Sequence, residues 1–209
     1  MNKAILSDVS RYYTEKCVQF GPTPRGVDWN GEESQQMRFA ELVKIIPSHD
    51  SFSVTDFGCG YGALYDFLAR DHSSFEYVGY DLSAKMIEDA CRLHQKSSEC
   101  NWVSDQEKLI ATDYTIASGI FNVRMTHSDA DWQSYVLETL QQMNALSSKG
   151  MSFNMLTSYS DHDKKREDLY YADPCFYFDY CKRHFSPRVS LLHDYPLYEF
   201  TILVRKGLS

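Results

Sequence analysis

The chain has 209 residues and a mass of 24.2 kDa, with 43% hydrophobic residues, enough for one hydrophobic core and too little for two ordinary domains. Its 21 Lys plus Arg face 29 Asp plus Glu, a net charge of −8, and no segment gathers enough positive charge to follow a phosphate backbone, so nucleic acid is not expected as a partner. No run approaches the roughly 20 apolar residues of a membrane span, the first residues lack the apolar core of an export signal, and six scattered cysteines without a C-x-x-C pair read as reduced thiols; a soluble, cytoplasmic chain with no membrane partner is expected.

In chain order, apolar residues at Ile5, Leu6, Val9, Tyr12, Tyr13, Cys17 and Phe20 keep helical spacing, and the Pro/Gly-rich run from Gly21 to Gly26 then forbids helix. A second helix starts near Glu32 and is stopped by Pro47. From Phe52 the pattern is regular: strand to Phe57, helix over 63–69, strand over 75–80, helix over 83–94, short strands over 101–104 and 114–118, helix over 132–146, and a strand over 151–156 after a stop at Lys149-Gly150. Such alternation implies a parallel sheet with helices on both faces. After a helix over 175–184, strands over 188–192 and 198–205 are separated by only five residues, a connection that requires an antiparallel hairpin. The expected fold is a doubly wound, mostly parallel, seven-stranded α/β sheet with a C-terminal antiparallel hairpin and added N-terminal helices.

The most informative segment is Val54-Thr55-Asp56-Phe57-Gly58-Cys59-Gly60-Tyr61-Gly62-Ala63, a strand running into glycines and then a helix. Glycines there let a ligand approach the backbone, and Gly58, Gly60 and Ala63 also fit a loose dinucleotide fingerprint. Asp56 bears on the choice of ligand: a carboxylate ahead of the loop repels a pyrophosphate, whereas S-adenosylmethionine has no phosphate and carries an ammonium and a sulfonium. Asp81 ends the second strand 23 positions past Gly58, close to the roughly 20 expected of an acid that accepts both ribose hydroxyls.

With these features the chain, over about residues 50–205, resembles the class I S-adenosylmethionine-dependent methyltransferases. The resemblance rests on the Asp56 to Gly62 motif, Asp81, Asp105 at the end of the third strand and Ala117-Ser118-Gly119-Ile120-Phe121 at the end of the fourth. It implies cofactor contacts from Asp56, Gly58, Cys59 and Gly60 in the loop, from Asp81 and Leu82 around the ribose, from Ser104 and Asp105 toward the adenine, and from Ser118 and Gly119. One methyltransferase domain over residues 1–209 is expected, with 1–47 as a helical lid and cap, read from the helix and Pro/Gly-rich loop ahead of the sheet, and 50–205 as a Rossmann-like core.

The loops beyond the carboxyl ends of the parallel strands are the expected acceptor pocket: Asn122 after the fourth strand, Tyr159, Tyr170 and Tyr171 after the fifth, and His193 after the sixth. Arg25 and Trp29, in the Pro/Gly-rich segment, suit a lid. Methyl transfer from an activated sulfonium rests on positioning and needs a base only where the acceptor keeps its proton; His193 and His127 are the candidate bases by placement. No acid and histidine set suggests a metal site. The expected activity is S-adenosylmethionine-dependent methylation of a small-molecule acceptor without a metal, at an oxygen, nitrogen or carbon atom. Its alternatives are an NAD-dependent oxidoreductase and a non-catalytic S-adenosylmethionine-binding regulatory module. Oligomeric state is not set by these features.

Overall fold

The structure, a computed structural model, describes residues 3–29, 31–47, 51–95 and 100–207. His49 falls outside the described residues. Seven strands form one sheet: β1 (Phe52–Phe57), β2 (Phe75–Tyr80), β3 (Cys100–Val103), β4 (Thr112–Ala117), β5 (Ser147–Leu156), β6 (Arg188–Leu192) and β7 (Glu199–Arg205), in the order β3-β2-β1-β4-β5-β7-β6. β1 to β5 pair in parallel, and β7 runs antiparallel between β5 and β6. The expected hairpin is present, with its second strand inserted next to β5. The order turns back between β1 and β4, so the loops leaving these two strands part and open a crevice at their carboxyl ends.

Among the described residues the α-helices are α1 (Lys3–Phe20), α2 (Glu32–Leu42), α3 (Ala63–Asp71), α4 (Ala84–Leu93), α5 (Asp129–Leu146) and α6 (Pro174–His184). Their starts follow from side-chain caps: Ser83 accepts from the Met86 N–H, Ser128 from that of Asp131, and Asp173 from that of Cys175. The Ser128 cap explains why α5 begins three residues ahead of Trp132.

Two expectations are corrected. The run after Gly21 does hold a helical turn, a 3-10 turn over Pro24–Val27 in which proline takes the first position and Thr23 accepts from the Gly26 N–H; proline there is pre-set for helix. Lys149 and Gly150 do not stop a helix but lie within β5, which starts at the residue after α5 ends. A side chain at Gly150 would stand 2.6 Å from the Val204 carbonyl of β7, so glycine here serves close strand packing.

Two cores cover the two faces of the sheet. One joins α1, α5 and α6 through Ile5, Trp132, Met143, Phe153, Tyr177 and Ile202; the other joins α2 and α3 through Leu42, Val54, Leu64, Leu68, Ile116 and Leu203. The N-terminal segment therefore straddles the sheet, with α1 in one core and α2 in the other. Among the described residues no helix is long and apolar enough to cross a membrane.

Candidate functional site

At the end of β1 the chain enters Gly58, Gly60 and Gly62 at φ +86°, +53° and +91°, the left-handed region that only glycine occupies freely. The N–H groups of Gly58 and Cys59 donate to the Tyr80 carbonyl at 2.7 and 2.9 Å, which ties the loop to the end of β2. Next to it, Asp81 accepts from the Gly60 N–H at 2.9 Å and the Ser83 N–H at 2.8 Å, one on each oxygen. The acid is thus oriented by backbone, and its remaining lone pairs are free for a ligand. Desolvation pushes its carboxyl up to about 6 against the lowering effect of those two N–H groups.

Beneath the loop, Asp56 is buried and accepts from the Tyr77 hydroxyl at 2.6 Å. Burial pushes its carboxyl up to about 7, with the Tyr77 hydrogen bond opposing and the charge of Asp81 adding. Burial also lifts the Cys59 thiol well above its ordinary range, so Cys59 is a neutral wall residue.

At the end of β4, Gly119 (φ +71°) closes a circuit of buried contacts. Its N–H donates to Asn154 Oδ1 at 2.8 Å, the Asn154 amide donates to Glu199, and Arg38 Nε donates to both Glu199 oxygens at 2.9 and 2.8 Å. The Arg38 guanidinium carbon lies 3.9 Å from the centre of the Trp29 ring, and that ring in turn covers Gly119, where an added side-chain carbon would stand 2.0 Å from it. Arg38 and Glu199 are 7% and 1% exposed, so a fully desolvated ion pair fastens the strap carrying Trp29 to the sheet.

These elements enclose a cavity of about 800 Å³, its open mouth included, within the 300–1,000 Å³ range of small-molecule sites. Two helices contribute to its wall, Val9, Ser10 and Tyr13 on the α1 side and Gln35 and Phe39 on the α2 side. Asp56 and Asp81 are its acidic residues; among the described residues no Lys or Arg lines it. Ser118 Oγ is buried there without a hydrogen-bond partner, and a Cβ added at Gly58 or Gly60 would meet Ile120 at 2.2 Å or Val27 at 2.8 Å. Bare backbone, an unsatisfied hydroxyl and an oriented acid fit a nucleoside-sized ligand.

Of the residues expected at the site, Asp56, Gly58, Cys59, Gly60, Asp81, Leu82, Ser118, Gly119 and Trp29 line the cavity. The others stand outside its wall. Ser104 and Asp105 are exposed, and Asp105 caps a 3-10 turn by accepting from the Glu107 N–H at 3.0 Å. Arg25 is exposed on the outer side of the strap. Asn122 is buried as a tie, accepting from the Leu156 N–H at 3.1 Å. Tyr170 is buried with its hydroxyl 3.1 Å from that of Tyr177, and the Tyr171 hydroxyl accepts from the Arg166 N–H at 2.9 Å. Tyr159 and His193 are exposed and face each other, ring centres 5.9 Å apart. His127 stacks on Trp132 and has Nε2 3.1 Å from Asp8. Neither histidine reaches the cavity as a base. The cause is one bend: the segment after β5 pairs back on itself through Thr157 and Ala172 and onto the β4 loop through Val123 and Leu169, which carries its tyrosines away from the crevice.

Gln35, Phe39 and Tyr61 line the cavity without having been singled out. Gln35, Arg38, Phe39 and Leu42 recur at i, i+3, i+4 and i+7, and all four are buried. Polar residues on that apolar stripe were the signal available in the sequence.

A family profile described as a methyltransferase domain matches residues 55–150. A Mycobacterium tuberculosis protein named "Putative methyltransferase Rv1506c" is 48% identical over 165 residues, covering 79% of this chain and 99% of that protein. Among solved structures, a DhpI–SAH complex aligns over all of both chains with a TM-score of 0.66 at 13% identity. The N-methyltransferase NodS from Bradyrhizobium japonicum, in complex with S-adenosyl-L-homocysteine, aligns over 94% of this chain and 97% of its own with a TM-score of 0.64 at 11% identity. At that identity the structural likeness is one of fold.

Proposed function

The chain belongs to the class I S-adenosylmethionine-dependent methyltransferase family, and we propose that it methylates a small-molecule acceptor without a metal, as one domain whose first 47 residues serve as lid and cap. The observation that carries this reading is Asp81, which follows β2 and is held at the cavity wall by one backbone N–H on each oxygen, one of them from the loop that leaves β1. A carboxylate fixed in this way presents two outward lone pairs to a ribose diol at no cost in side-chain ordering. Asp81 would hold the ribose, Leu82 and Ile120 the base, and the loop from Gly58 to Gly60 the amino-acid tail.

When bound, S-adenosylmethionine supplies an activated methyl group on a sulfonium, so alignment and exclusion of water carry the reaction more than proton transfer does. Asp81 attracts a cationic ligand, and among the described residues no Lys or Arg in the wall compensates it. Trp29 and Val27 press on the glycines from above and exclude water from that end. A roof of this kind admits a small molecule more readily than a macromolecular segment, which supports the acceptor class. Among the described residues no group of three His, Cys, Asp or Glu side chains is placed to hold a metal.

Titration calorimetry with S-adenosylhomocysteine and with NADH separates this reading from the oxidoreductase. Saturable binding of the first with no heat from the second is the expected result, and the reverse pattern overturns the assignment.

A further inference from the structure

The second half of the glycine loop is tied down from behind. Gly62 sits at φ +91°, and a glycine lets the peptide that precedes it rotate at little cost. Two contacts hold the Tyr61–Gly62 peptide in one orientation: the Gly62 N–H donates to the Cys59 carbonyl at 3.0 Å, and the Tyr61 carbonyl faces Nε2 of His94 at 3.3 Å. Resting on the reading above, we propose that His94 is a positioning residue for the cofactor loop, that its imidazolium form does the positioning, and that cofactor binding therefore draws a proton onto this ring.

His94 follows the last residue of α4 and is 9% exposed. Its ring stacks on Trp102 of β3, with centres 5.2 Å apart and planes at 22°, and meets the Tyr65 ring of α3 edge-on at 5.2 Å. It lies against the back of the loop, since a Cβ added at Gly62 would stand 2.8 Å from Nε2. The front of the same loop, at Gly60 and Tyr61, lines the cavity, and His94 stands outside the wall. His94 thus acts on a ligand only through the backbone that it fixes.

The charge follows from what the two ring nitrogens face. Nε2 meets the Tyr61 carbonyl, and Nδ1 lies 3.6 Å from a carboxylate oxygen of Asp66 in the first turn of α3. A neutral imidazole carries one N–H, so either tautomer turns a lone pair on one of these oxygens. The imidazolium presents an N–H to both. The stack on Trp102 and the position just beyond the C-terminus of α4 favour the same charged form. Asp66 and Tyr65, both on α3, are the titratable groups that face the ring among the described residues. When the ring loses its proton, the carbonyl and the carboxylate compete for one N–H, and a ligand must then order the peptide at its own cost. By linkage, a ligand that needs the ordered loop favours the protonated ring.

Calorimetric titration of S-adenosylhomocysteine into the full-length protein at pH 7, in phosphate and in Tris, counts the protons taken up on binding, because the two buffers differ in ionisation enthalpy. The parent is expected to take up about 0.3 proton or more beyond His94→Gln and His94→Phe; Asp56 and Asp81 are present in all three and cancel in the difference. His94→Phe keeps a ring on Trp102 without either nitrogen and should weaken binding about fivefold or more. His94→Gln restores a donor toward Tyr61 without a charge, and at pH 8, where an imidazole carries least charge, it should bind within about twofold of the parent. An equal proton count in parent and variants, unchanged affinity in folded His94→Phe, or equal losses in the two variants, which would assign the effect to packing, overturns the proposal. Where one variant does not fold, the proton count of the parent against the other decides alone. Failure of the parent to bind S-adenosylhomocysteine overturns the methyltransferase reading beneath it instead.

Discussion

The two ends of the cavity are walled by the same N-terminal segment and held in opposite ways. At the α1 end the helix is fastened by several small contacts: Ser10 Oγ donates to the Leu82 carbonyl at 3.0 Å, Thr14 and Ser83 hydroxyls lie 2.7 Å apart, and Cys17 donates to Asp89 at 3.2 Å. At the α2 end a buried ion pair between residues 161 positions apart stands beside two neutral contacts, the Ser152 hydroxyl donating to the Leu42 carbonyl at 2.9 Å and the Tyr61 hydroxyl to Gln35 at 3.2 Å. Weak contacts in series can loosen one at a time, whereas a desolvated ion pair holds or fails as a unit. The α1 side of the cavity is thus adaptable, and the α2 side is stiff.

The largest effect should come from breaking the stiff end. Glu199→Ala leaves Arg38 charged and buried, and a loss of about 3 to 5 kcal/mol in urea unfolding is expected, the range for an orphaned buried charge. The paired replacement Arg38→Met with Glu199→Leu should recover most of that loss, because no charge is then stranded. Equal destabilisation by single and paired replacements would show that packing, and not charge, joins strap to sheet.

Next comes the acid of the adaptable end. Asp81→Ala is expected to weaken S-adenosylhomocysteine binding by about 1.5 to 3 kcal/mol, the range for hydrogen bonds to a charged group, with the fold retained by circular dichroism. Unchanged affinity in calorimetry would remove the ribose from the α1 end.

Asp56, on the floor between the two ends, should show itself through pH. Its carboxyl moves from an ordinary 3.8 to about 7 on burial, so the folded chain keeps a proton that the unfolded chain has lost. Folding takes up that proton between roughly pH 4 and 7; its contribution to stability is full below about pH 4, falls as pH rises through that window, and is level above it. One proton limits the slope to about 1.4 kcal/mol per pH unit. Asp56→Asn should flatten the parent's decline, as read from urea midpoints at pH 4.5, 5.5 and 6.5. A variant with the parent's slope would assign the decline to other groups, Asp81 among them.

The smallest effects belong to the α1 fastenings. Ser10→Ala and Thr14→Val should each cost about 0.5 to 1.5 kcal/mol and speed hydrogen exchange in α1 while leaving α2 unchanged. Exchange rising together in both helices would mean that the two walls act as one.

The order of helices and strands was legible in the sequence because each element carries its own signal: apolar strands such as β1, capping residues such as Ser83 and Asp173, and the glycine run that ends a strand in a tight turn. The glycine loop, Asp81 and the end of β4 were legible for the same reason, since loop, acid and strand end follow one another at fixed distances along the chain. The acceptor side was not. Tyr170 and Tyr171 do follow the carboxyl end of a parallel strand, but the sequence has no mark for the bend between Thr157 and Ala172 that turns them away.

What the sequence determined by itself is therefore the local and the periodic: a doubly wound sheet with a terminal hairpin, and a nucleotide-type loop with its acid. What only the tertiary structure decided is everything that depends on residues far apart in the chain. Arg38 meets Glu199, and Trp29 covers Gly119, because α2 crosses to the second face of the sheet while α1 stays on the first, and because β7 is inserted beside β5. Pairings of that kind are set by how whole elements pack, and a residue's own neighbours in sequence carry no trace of them.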